Sequence, residues 1–165
     1  MANPDVMPDR LRVAPYLILV VILLLLDQLT KLWVLQMFQP YEVVSVLPVF
    51  NLTLVFNPGA AFSFLGDAGG WQRWFFIGLT SVVSVVLLIW LFKLRLHERL
   101  TGLSLAMILG GALGNLTDRI RLGEVVDFLD FYWQQWHWPA FNLADSSITL
   151  GVVLMLIASW KSKEA

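Results

Sequence analysis

The chain has 165 residues, 58% of them hydrophobic and only 14% charged, with a formal net charge of −1 at pH 7 and no cysteine. Soluble domains carry roughly 25% charged residues, so most of this surface is expected to face lipid; with no basic excess to neutralise phosphates, nucleic acid is not expected as a partner. Disulfides, thiol nucleophiles and thiolate metal sites are excluded, and the length has room for one domain, residues 1–165.

Four stretches reach the roughly 20 apolar residues needed to cross a bilayer. The first covers 14–35 and contains VVILLLL. Arg10 and Arg12 precede it as they would a secretory signal, but no small-x-small cleavage site follows and the run continues through Asp27 into LTKLWVLQMF, so it reads as a retained span. The connection at 38–70 includes YEVVSVLPVFNLTLVFN, whose β-branched and aromatic residues predict two or more short strands. Open strand edges are not tolerated in hydrocarbon, which places this small sheet at the outer interface. The remaining spans are predicted at 72–92, 100–116 and 140–160, with Pro139 as a good first helical residue for the last. The expected fold is a mainly α membrane protein, a four-transmembrane-helix bundle with a small outer β-segment.

Basic residues orient the bundle. Arg10, Arg12, Lys93, Arg95, Arg99, Lys161 and Lys163 fall on one side; Arg73, Arg119 and Arg121 fall on the other. Both termini are therefore expected in the cytoplasm and the 38–71 and 119–139 connections outside. Trp71, Trp74, Trp133, Trp136 and Trp138 would form an outer aromatic belt, with Trp90 and Trp160 near the inner one.

Ionisable residues in spans are costly and invite a functional reading. Asp27 and Lys31, four apart, can pair on one helix face, either as a structural ion pair or in holding a site or a lipid head group. In the third span, Ala106, Gly110 and Gly114 form a small-residue stripe for close packing. It runs into Asn115, with a scaffold or substrate role, and into Asp118 and Arg119, expected to pair at the helix end. Two carboxylates then remain unneutralised: Asp127 in the outer loop after span three, and Asp145 one or two turns into span four. Asn142, Asp145, Ser146 and Thr149 lie at helical spacing, a polar stripe expected to face the bundle interior. If the aspartates face each other in low dielectric, they hold one proton between them. One can then serve as base towards water and the other as acid towards a carbonyl, which is peptide hydrolysis without a serine or cysteine nucleophile. The same pair could serve a cation relay or a metal site. His97 and His137 lack helical i,i+4 partners and read as interfacial residues rather than ligands.

The motifs decide more. DQLTK at 27–31, NPGAAF at 57–62, GGALGNLTDR at 110–119, GEVVDF at 123–128 and FNLAD at 141–145 resemble, in order and over essentially the whole chain, the signatures of the lipoprotein signal peptidase family. The resemblance implies a bacterial inner-membrane aspartic endopeptidase, acting without metal or organic cofactor and inhibited by globomycin. It would remove the signal peptide of prolipoproteins just before a diacylglyceryl-modified cysteine. By the same matching the catalytic pair is Asp127 and Asp145; Asn57, Asn115, Arg119 and Asn142 contact the substrate or hold the aspartates; Asp27, Lys31, Gly59, Asp118 and Ala144 are supports. Lipidated prolipoprotein and membrane lipid are the expected partners, and a monomer is the expected state. Glycines at Gly59, Gly66, Gly69 and Gly70 would let the 57–70 segment close over a peptide. The alternative from another class, a small proton-coupled transporter or channel, needs a polar path to the cytoplasmic side. LGVVLMLIASW in the inner part of span four offers none.

Overall fold

The computed structural model describes residues 9–59, 69–95 and 97–161; Ala60, Ala61, Phe62, Gly66 and Asp67 of the expected closing segment, and Lys163, lie outside them. Among the described residues, four helices, α1 (Asp9–Met37), α2 (Trp71–Lys93), α3 (Arg99–Arg121) and α4 (Leu143–Lys161), are combined with four strands, β1 (Val43–Leu47), β2 (Phe50–Asn57), β3 (Val125–Trp133) and β4 (Trp136–His137). Every helix is long and apolar enough to cross a membrane. Their exposed residues, such as Ile18, Leu25, Val82 and Leu156, are those a soluble protein would bury. Hydrocarbon offers no partner for a free N–H, and a helix satisfies its own.

α3 is the centre of the bundle. It packs against α1, α2 and α4, most extensively against α4. The small-residue stripe makes this possible. A Cβ added at Gly110 would lie 2.9 Å from Leu23 Cβ of α1, and one at Gly114 would lie 2.5 Å from Asp27 Oδ2. Gly111 does the same towards α4, where a Cβ would overlap the Ala144 carbonyl oxygen. Towards the chain termini the bundle is filled by Val13, Val20, Leu87, Leu91, Leu105 and Leu109.

The sheet at the other end is antiparallel, in the order β1-β2-β3-β4. β1 and β2 confirm the strands expected in 38–70. β3 corrects the expectation of a loop around Asp127: VVDFLDFYW is a strand that pairs with β2 from Val125 to Phe131. Val34 at the end of α1, Leu54, Val126 and Phe128 form a second core that seats the sheet on the bundle.

Two helix ends also depart from expectation. α3 continues past Leu116 to Arg121 because its polar last turns find partners inside the protein. It stops at Gly123, whose φ of 91° turns the chain back into β3 at little steric cost. α4 starts at Leu143 rather than at Pro139 or Ala140, since the chain there is held extended: Phe141 exchanges backbone hydrogen bonds with Leu129 of β3. The helix begins where Asn142 can cap it.

Candidate active site

The pleat of β3 sorts its side chains. Val126 and Phe128 enter the core against α1, so Val125 and Asp127 point the other way, into a groove. Asn57 lies opposite Val125 across the β2–β3 ladder and is therefore a diagonal neighbour of Asp127 on the same face. Its Nδ2 donates to Asp127 Oδ2 at 3.1 Å, and its Oδ1 accepts from the Gly59 N–H at 3.0 Å.

Asp145 is placed by a capping box. Asn142 Oδ1 accepts from the Asp145 N–H at 2.9 Å, and the Asn142 N–H donates to Asp145 Oδ2 at 3.3 Å. Asp145 is thus in the first turn of α4, nearer the helix start than the sequence suggests. Asn142 Nδ2 also reaches Asp127 Oδ1 at 2.7 Å, with Asn115 Oδ1 at 3.1 Å and the Val126 carbonyl at 3.2 Å competing for its two hydrogens. One fully buried amide therefore ties the strand aspartate to the helix aspartate. Asp127 is 2% exposed. Burial first, and then the neighbouring Asp145 carboxylate, push its carboxyl from the ordinary 3.8 up to about 7, against the pull of the Asn57 and Asn142 donors.

Behind the aspartates stands a buried ionic cluster. Lys31 Nζ lies 2.9 Å from Asp27 Oδ2, 2.8 Å from Asp118 Oδ2 and 2.9 Å from Asn115 Oδ1. This corrects the expected Asp118–Arg119 pair: the Asp118 carboxylate takes Lys31 instead. Arg119 donates to the Gly59 carbonyl at 2.8 Å and more weakly to its own helix at Asn115, with its guanidinium over the Phe76 ring. The sequence-level i,i+4 pair of Asp27 and Lys31 is present and buried, which leaves no access for a lipid head group. Ala144, 1% exposed, sits in the α3–α4 contact, its N–H donating to Asp27 Oδ1 at 3.0 Å.

The two aspartates line one cavity of about 670 Å³. Asn57, Asn115 and Arg119 complete its polar head; Val125, Trp138, Pro139, Phe141, Ile148 and Leu150 supply apolar walls. Ser146 and Thr149 border this groove, so the polar stripe of α4 faces it rather than the bundle interior; Ala144 and Ser147 face inward instead. Arg73 was missed by sequence reasoning: it donates to the carbonyls of Arg119 and Ile120 and so caps the end of α3. His137, half-exposed on the β4 hairpin, bonds Asp130 at 2.9 Å, away from the aspartate pair.

The arrangement has known counterparts. The family model described as signal peptidase (SPase) II matches residues 19–161. A lipoprotein signal peptidase of Shewanella amazonensis is 53% identical over 146 residues, covering 88% of this chain and 87% of that one. One of Ectopseudomonas mendocina is 50% identical over 163 residues, 96% of each chain. Among solved structures, a bacterial membrane enzyme determined by the in meso method at 2.3 Å resolution superposes with a TM-score of 0.82 at 32% identity, covering 91% of this chain and 90% of that one. A second, at 1.9 Å, gives 0.73 at 30% identity over 88% and 92%. The four apolar helices, the small sheet and these matches together establish that the chain is a multi-pass membrane peptidase belonging to the signal peptidase II family.

Proposed function

We propose that this chain is an aspartic endopeptidase that removes the signal peptide from diacylglyceryl-modified prolipoproteins, cutting before the lipidated cysteine, with Asp127 and Asp145 as the catalytic pair. The observation that carries the reading is that two carboxylates from different elements, both bonded by buried Asn142 (its side-chain Nδ2 to Asp127, its backbone N–H to Asp145), share the polar head of an apolar-walled groove. One aspartate is ionised and takes a proton from water as the hydroxyl adds to the scissile carbonyl carbon. The other, protonated, gives its proton to the carbonyl oxygen. Collapse of the tetrahedral species then breaks the C–N bond as a proton passes to the leaving nitrogen. Asp127, with its carboxyl pushed up to about 7, suits the protonated role.

The surroundings suit a lipid-bearing substrate. The groove's apolar walls, Val125, Phe141, Ile148 and Leu150 among them, suit an apolar peptide and acyl chain. Asn57, Asn115, Arg119 and Asn142 hold the aspartates or the peptide backbone. The enzyme sits in the bacterial inner membrane as a monomer, both termini cytoplasmic and the site near the periplasmic face, and is inhibited by globomycin. The apolar cluster of Val13, Val20, Leu87, Leu91, Leu105 and Leu109 beneath the site weighs against a transport path. Three of the four carboxylate oxygens receive side-chain amide donors at 2.7–3.1 Å, a frame suited to a shared proton and crowded for a metal ion. The direct test is incubation of the purified protein with a lipidated prolipoprotein and mass spectrometry of the products. A cut at any bond other than the one before the lipidated cysteine, or no cut, rejects the reading.

A further inference from the structure

The buried cation in α1 is bonded to the site in a way that its ion pairing alone does not require. An ammonium has three donors and no acceptor, and Lys31, 2% exposed, uses them on Asp27, Asp118 and Asn115 Oδ1. Because Lys31 can only donate, Asn115 must turn its carbonyl oxygen towards α1; the flipped amide would set an NH2 against the ammonium. Asn142 Nδ2, a second donor at 3.1 Å, enforces the same orientation. The Asn115 Nδ2 is thereby left facing α4, where it donates to Asp145 Oδ1 at 2.7 Å. Among the described residues, Asp145 Oδ2 meets only the Asn142 N–H, at 3.3 Å, and is the less committed oxygen.

We infer that Lys31 is a positioning residue for hydrolysis: it locks the amide of Asn115 so that Asp145 presents Oδ2 to the reacting water or proton. The two acids that neutralise Lys31 also grip the backbone beside each aspartate. Asp118 Oδ2 accepts the Val126 N–H at 3.2 Å, one residue before Asp127, and Asp27 Oδ1 accepts the Ala144 N–H, one residue before Asp145. A support acting only through that grip would contribute independently of Asn115. A lock on the amide cannot.

The inference rests on the reading of Asp127 and Asp145 as acid and base, and a double-mutant cycle separates the two. Cleavage of a diacylglyceryl-modified prolipoprotein is measured for full-length Lys31→Met, Asn115→Ala and the double variant, per folded enzyme as judged by thermal unfolding. Lys31→Met is expected to lower kcat roughly 10- to 100-fold, the scale of losing alignment at a reacting group, with KM changed by less than about threefold. With no amide left to orient, the double variant should match Asn115→Ala within about threefold. Wild-type kcat in folded Lys31→Met, or losses that multiply in the double variant, overturns the inference. If Lys31→Met does not fold, the same cycle is run on Asp27→Asn/Lys31→Met, where loss of the cation is matched by loss of one anion. Undiminished turnover in Asp127→Asn or Asp145→Asn would instead sink the underlying reading; inactive aspartate variants beside multiplying losses sink only the role of Lys31.

Discussion

Replacing Asp127 by Asn should abolish turnover and yet stabilise the protein at alkaline pH. A carboxyl raised from 3.8 to about 7 keeps its proton in the fold while the unfolded chain has released it. Wild-type stability therefore falls as pH rises from about 4 to about 7 and stays at the reduced level above that. The full difference corresponds to about 4 kcal/mol, and the part lost between pH 5 and pH 8 to about 3 kcal/mol. An asparagine never ionises and avoids the loss, but it brings its own cost. Asn57 and Asn142 both donate to Asp127, and a carboxamide has one oxygen for them, a mismatch of about 1–3 kcal/mol. The variant should thus be near or below wild type at pH 5 and about 1–3 kcal/mol more stable at pH 8. The growth of its advantage by about 3 kcal/mol is worth roughly 6–12 °C in Tm for a chain of this size. Eight tryptophans and no cysteine make intrinsic fluorescence the assay of choice, scanned from pH 5 to pH 8 in detergent. A difference between variant and wild type that does not change with pH refutes the reasoning.

Asp127→Asn and Asp145→Asn should each lower cleavage by about 10³-fold or more while the protein remains inserted, since an amide cannot exchange the proton; a folded variant within tenfold of wild type removes the pair from the mechanism. Wild-type cleavage should decline above about pH 7 as the Asp127 proton is lost, and a rate still rising at pH 9 would contradict that. EDTA should leave activity unchanged; loss restored by zinc or magnesium would recast both aspartates as ligands. Gly111→Ala places a methyl on the Ala144 carbonyl oxygen, and backbone cannot step aside, so α3 and α4 must separate. A loss of about 1–3 kcal/mol of stability with reduced cleavage is expected, and wild-type melting and turnover would show that this contact is slack. Reporter fusions after residue 163 should report cytoplasm and fusions at Gln134 the outer side; the reverse inverts the orientation.

The spans were legible because a bilayer demands length and apolarity, and both are local properties of the chain. The stripe Ala106, Gly110 and Gly114 was legible for a similar reason: close helix approach needs small residues at regular spacing, and Gly110 and Gly114 do abut α1. Asp127 and Asp145 were singled out because carboxylates are costly near hydrocarbon, and their motifs matched a family. How the two are joined was not legible. Strand β3 is the clearest case, since VVDFLDFYW becomes a strand by pairing with β2, some 70 residues earlier in the chain, and only that pairing sets Asn57 beside Asp127. The start of α4 was misplaced because Pro139 favours a helix locally, whereas Phe141 is held by Leu129 of β3; the N-x-x-D spacing of Asn142 and Asp145 was the local signal for the true start. Asp118 likewise has Arg119 as its neighbour in sequence but Lys31 as its partner in space. Composition and periodicity determine which residues are costly to bury. Which partners meet that cost depends on atoms brought together by packing, and that was decided only by the tertiary structure.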